Sequence, residues 1–276
     1  MEKTVTLRPG MVDRSDRLSR EGLNRIQRKV TAYMAGCVDR AKDPAPYTLK
    51  QAHTMRVCTH ILMLARALDL SSDIKNISAA LALLHDLGRF PQFRRYGTYS
   101  DPLSRNHAAL GAGEIRRLRL LEGLPRRTRQ LLYRAVVLHN REVLPAGLSA
   151  SLDLQARLLR DADKLDIFKV ITDVYTGPEN GRPSFITHEY AEDGRLSSEL
   201  TDALCRLNRI SFERVRSLND LKLFQLSMVF DLNFPAAHAH VLDQGVVPAM
   251  IRSMPRAQSL DKVEKILIRY LADRSS

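Results

Sequence analysis

Six side chains in this sequence are of the types that share a metal: His53, His85, Asp86, His107, His139 and Asp163. A lone histidine on an apolar face is ordinarily a core residue with its ring nitrogens satisfied. Several ionisable residues delivered into apolar surroundings need a better answer, because a buried charge without a partner is very costly. A common partner is the economical one. Imidazole and carboxylate donors together suit divalent Fe, Mn, Zn, Co, Ni or Mg, and the absence of thiolate from the set argues against a structural zinc cluster. Six protein ligands on a single ion would leave no open position. The number therefore fits two divalent metal ions bridged by Asp86, each with room for water or substrate.

Helices must carry these residues to one place, and positions three or four apart share a helix face. Leu49, His53, Val57, Ile61 and Leu64 form one apolar stripe containing a histidine. Ile74, Ile77, Leu81, His85 and Gly88 form a second, and Leu132, Val136 and His139 a third. In the fourth, Leu159, Asp163, Ile167, Val170 and Val174, the one charge is a carboxylate. His107 follows a helix start at Ser104-Arg105-Asn106. The same three- and four-residue periodicity recurs along the chain, with no alternating strand series and no internal repeat, so the fold class expected is all-α. Helices are expected near 19–40, 48–69, 74–88, 104–121, 126–140, 150–176, 197–216, 219–231, 235–252 and 258–273. The stretch Gly177 to Arg195 reads as a long surface loop, and the stretch after Asp86, with Arg94 and Arg95, reads as a loop as well.

At 276 residues and 44% apolar composition, the chain can build a sizeable core. It has no uncharged apolar run long enough to span a membrane and no apolar segment near Met1, so a cytoplasmic protein without a membrane partner is expected. Cys37, Cys58 and Cys205 are odd in number and far apart, which excludes a disulfide framework and predicts small buried residues. The net charge is +12, with ten lysines against 33 arginines. Guanidinium suits phosphate and carboxylate recognition. Nucleic acid is open to a chain of this charge, but no aromatic interleaving or reader motif favours it. His238 and His240 are two apart, on opposite sides of a helix, which predicts surface or capping roles.

The order H…HD…D, written here as AHTMRV (52–57), LLHDLG (83–88) and RDADKLD (160–166), resembles the HD-domain superfamily of metal-dependent phosphohydrolases. The longer string HDLGRFPQFRRYGTYSD…NHAALG is most similar to a set of bacterial HD-domain hydrolases. The resemblance covers roughly residues 45–175. It implies an HD-domain-like helical bundle with additional carboxy-terminal helices: one domain, 1–276, with an HD core at about 45–176 and an extension at about 196–274. By the same resemblance His53, His85, Asp86 and Asp163 are ligands of the first ion. His107 and His139 resemble the additional ligands of the two-metal branches, which include cyclic-dinucleotide phosphodiesterases and di-iron oxygenases. Arg89 stands where the cyclic-dinucleotide branch has lysine, and Asn140 where it has a second consecutive histidine.

The activity this implies is hydrolysis of a phosphate ester, with a small phosphorylated substrate, a nucleotide, as partner. The alternatives are di-iron oxygenation of a phosphorylated or phosphonate substrate, and a non-catalytic module that binds nucleotide or nucleic acid. Asp86, Arg89 and Lys164 are the candidate catalytic residues. Arg56, Arg89, Arg94, Arg95 and Lys164 are the candidates for holding phosphate charge, since their sequence neighbours are ligands or lie just beyond the HD pair.

Overall fold

The apolar run Ala79 to Leu84 ends a helix that is buried on nearly every side, with Ile77, Leu81 and Leu84 fully enclosed. A helix apolar all round belongs in the middle of a fold. Enclosing each such side chain contributes on the order of 1.5–3 kcal/mol. The computed structural model describes residues 17–178, Thr187, Tyr190 and 194–276. The described residues contain helices and no strand, in keeping with the all-α expectation.

The helices before the division described below are α1 (Arg20–Asp39), α2 (Ala45–Ala67), α3 (Ser72–Leu84), α4 (Arg89–Tyr96), α5 (His107–Arg117) and α6 (Arg126–Leu138), and α7 (Ala150–Thr176) crosses it. The buried helix, α3, packs against α1, α2 and α6, and α4 packs against α2 and α5. Ser19 caps α1 by accepting from the Gly22 amide at 3.1 Å, and Asn106 caps α5 by accepting from the Ala109 amide at 3.0 Å. Inside the core the Ser78 hydroxyl of α3 donates to Gln155 Oε1 of α7 at 2.9 Å, so two buried polar groups satisfy each other.

The described residues group into two compact units, divided between Asp163 and Lys164 inside α7. The second unit continues with α8 (Ser198–Cys205), α9 (Leu218–Ser227), α10 (Pro235–Asp243), α11 (Val246–Arg252) and α12 (Gln258–Ala272). Leu260, Val263, Leu267 and Leu271 make the buried stripe of α12, which packs on α8, α10 and α11. No helix among the described residues is long and apolar enough to cross a membrane.

Several expectations are corrected. Arg94 and Arg95 lie on α4 rather than on a loop: proline, here Pro91, is tolerated in a first helical turn, where its missing amide has no partner to lose. The α4 helix ends at Gly97 in the left-handed conformation (φ 65°). The expected helix 197–216 stops at Cys205, two residues before Leu207 at φ 58°, and 235–252 is broken by Gly245 at φ 60°. His238 is buried, its Nδ1 2.9 Å from the Phe234 carbonyl, rather than at the surface. The three cysteines are half-buried. The expected loop between Gly177 and Arg195 falls largely outside the described residues.

One close approach fixes where α5 begins. A Cβ on Gly88 would stand 1.9 Å from the His107 carbonyl oxygen and 2.4 Å from the Gly111 amide nitrogen, so the turn after Asp86 lies backbone to backbone on the first turn of α5. Gly88→Ala is therefore expected to destabilise the protein by about 3 kcal/mol or more. Gly113→Ala, on the same helix with nothing within 4 Å of the added carbon, is expected to stabilise by about 0.5–1 kcal/mol. Denaturant unfolding of the two variants checks both signs.

Candidate metal centre

Five helices bring the six ionisable groups together. The α2 helix contributes His53 from its buried face, while His85 caps the end of α3 and Asp86 follows it. His107 is the first residue of α5, His139 caps the end of α6, and Asp163 comes from α7. His53 Nε2 lies 3.3 Å from His85 Nε2 and 3.2 Å from Asp163 Oδ1. His107 Nε2 lies 3.0 Å from His139 Nε2. The six residues form two groups that can each hold an ion, His53–His85–Asp163 and Asp86–His107–His139. Asp86 faces both: Oδ2 is 3.5 Å from His53 Nε2 and Oδ1 is 3.6 Å from His107 Nε2.

The protons decide what these contacts mean. The Nδ1 atoms of His85 and His139 lie 2.8 Å and 2.6 Å from the carbonyls of Ala82 and Val136, and that of His107 lies 2.8 Å from Asp101 Oδ2. Carbonyls and carboxylates only accept, so each of these Nδ1 atoms carries the proton and each Nε2 presents a lone pair. Two lone pairs facing one another at 3.0 Å, as in His107 and His139, repel unless a Lewis acid sits between them. Donors about 2.1 Å from an ion in tetrahedral or octahedral array are about 3.0–3.4 Å apart, which matches the spacing here. The ends of α3 and α6, the negative ends of their dipoles, carry ligands, and this also favours a cation.

Burial disfavours protonation of three of the imidazoles, His85, His107 and His139. It pushes His107 and His139 down to about 4, with Arg89 adding to the effect at His107 and His85 at His139, and it lowers His85 too. For Asp86 burial acts the other way, yet Lys50, His85, Arg89 and His107 outweigh it and hold the carboxyl well below the usual range. Burial likewise opposes ionisation of Asp163, and the His53 hydrogen bond with the His85 and His53 charges wins. Neutral imidazoles and ionised carboxylates are the states that bind metal.

Residues 51–167 match the family model of the HD domain. The chain carries an HD domain. No curated protein and no solved structure matches the chain. All six groups fall within the matched residues, and HD domains bind divalent metals and belong to a superfamily made up mostly of hydrolases.

Around these ligands the HD domain holds Arg89, a cation nominated by sequence, and others that were not. Arg89 donates to the Tyr99 carbonyl, to Gln92 Oε1 at 3.0 Å and to Asp101 Oδ1 at 3.2 Å, while its Nε lies 3.4 Å from Asp86 Oδ1. It is thus occupied in bracing the HD turn. Lys164 begins the second unit, where its ammonium lies 3.5 Å from Asp231. Arg56 is half-buried on α2, and Arg94 and Arg95 are exposed on the last turn of α4. Sequence reasoning missed three residues. Lys50, one turn before His53, donates to Asp86 Oδ2 at 2.7 Å. Asp101 binds His107, and Arg160 donates to the carbonyls of Arg141 and of Glu142, the latter at 3.1 Å, collaring the end of α6 behind His139. The Lys50 spacing was available as a signal, since i and i+3 share a face.

The depressed imidazoles have a stability consequence. Below the ordinary histidine value of 6.5 an unfolded chain takes up protons that His107 and His139 refuse in the folded protein until about 4. Stability of the metal-free protein is therefore present above 6.5 and is lost as pH falls toward 4. Thermal unfolding of chelator-treated protein across that window checks the sign, and an unchanged midpoint would contradict it.

Proposed function

We propose that the HD domain hydrolyses a phosphate ester of a small substrate, a nucleotide, at a binuclear metal site. The observation that carries this reading is the Asp86 carboxylate, which turns one oxygen toward each ligand group. His53, His85 and Asp163 would hold one ion, and His107 and His139 the other, with Asp86 between them. Bound there, the ions supply an activated water nucleophile and neutralise phosphoryl oxygens. Water adds to phosphorus, the ester P–O bond breaks, and the alcohol leaves with a proton.

The chain's own residues orient and hold the substrate. Asp163, with 23% of its side chain exposed, and Lys50, with 17%, mark an open side of an otherwise enclosed cluster. Lys50 is the cation best set to take a phosphoryl oxygen, because its flexible ammonium contacts Asp86 at that side and packs over the Tyr99 ring at 5.5 Å. Arg56 shares α2 with it. Arg94 and Arg95 suit a longer phosphorylated substrate better than the scissile group itself.

The test is metal analysis joined to phosphate release over a panel of nucleotides and simple phosphomonoesters, with Mn²⁺ added. Two ions per chain and metal-dependent release are expected, with His85→Ala and Asp86→Asn slowing release by about 10³-fold or more. Oxygen consumption with redox-active iron, or no metal uptake at all, would each defeat the reading. Lys50→Ala is expected to raise KM by about tenfold while kcat moves little and metal content is kept, with partial recovery in Lys50→Arg. Steady-state kinetics of the two variants read this directly.

A further inference from the structure

His107 is oriented unlike its companions. His85 and His139 hold their Nδ1 protons on carbonyls three residues back in their own helices, Ala82 and Val136. As the first residue of α5, His107 has no preceding helical turn to supply such a carbonyl. A carboxylate takes its place: Asp101 accepts from His107 Nδ1 on both oxygens, at 2.9 Å and 2.8 Å.

We infer that Asp101 is the positioning residue of the second ligand group, setting the affinity of Asp86, His107 and His139 for their ion without touching that ion. The inference rests on the binuclear reading above. A charged acceptor fixes the tautomer and ring plane of a metal-binding imidazole and makes its other nitrogen a better donor. Asp101 also reaches the neighbourhood of every member of this group. It accepts from Asn140 Nδ2, next to His139, at 3.1 Å. It accepts from Arg89 at 3.2 Å, and Arg89 in turn faces Asp86. Gln92, fully buried, donates to Asp101 at 2.8 Å and to the Arg105 carbonyl at 2.9 Å, which ties down the connection leading into α5.

The experiment is a Co²⁺ titration of the metal-free full chain, followed by visible absorption and equilibrium metal content, for the wild type, Asp101→Asn and Asn140→Ala. The wild type and Asn140→Ala are expected to take two ions. Asp101→Asn is expected to keep one at wild-type affinity and to bind the other about 10- to 100-fold more weakly. Two ions at unchanged affinity in Asp101→Asn, or equal weakening of both, overturns the inference. If Asp101→Asn does not fold, Asp101→Glu replaces it, with weakening confined to one ion as the supporting result and unchanged affinities as the overturning one. A wild type that binds a single ion refutes the binuclear reading instead, and with it the ground on which Asp101 was assigned.

Discussion

An ionised carboxylate almost wholly withdrawn from water is the constraint around which the first unit is built. Asp86 is 3% exposed, and leaving such a group uncompensated would cost several kcal/mol. Lys50 answers one oxygen, with His53 nearby, and Arg89 the other, with His107 nearby. Each of these partners must itself be held in place, and the surrounding helices can be understood as the means of holding them. The α3 helix, enclosed nearly all round, sets Asp86 at a depth where solvent cannot relieve it. Its neighbours then supply donors from separate directions.

The same arrangement explains why the cluster suits cations so well. Every imidazole whose Nδ1 is committed to an acceptor turns a bare lone pair inward, and the carboxylates add negative charge to the same small volume. Mutual repulsion among these groups limits the stability of the metal-free chain, and a divalent ion held there would relieve it. Lys50 and Arg89 temper the repulsion without removing it.

Much of this was legible in the sequence, for identifiable reasons. His53, His85, His139 and Asp163 lie on apolar helical stripes, so period and burial together pointed them inward before any geometry was known. His107 was found through its place beside a helix start. Asp101 was not found, because a carboxylate in an irregular connection has no period to place it, and its meaning comes only from where α5 begins. Lys50 was passed over because lysine at a helical position is ordinarily solvated. Arg160 was one arginine among 33, and nothing in spacing separates a guanidinium that collars a helix end from one that faces water. The α4 helix was hidden because its eight residues make only about two turns, too short for an apolar period to show. The division inside α7 left no mark either, since helical periodicity runs through Asp163 and Lys164 without interruption.

The two kinds of anchor behind the imidazoles differ in how they survive disturbance. His85 and His139 lean on their own helices, so their aim persists in any partly opened form that retains α3 and α6. His107 leans on a residue of the loop that precedes it and keeps its aim only while that loop stays closed on α5. Loosening the 97–106 connection, by a protease nick or a local fluctuation, would thus release His107 while His85 and His139 stay aimed.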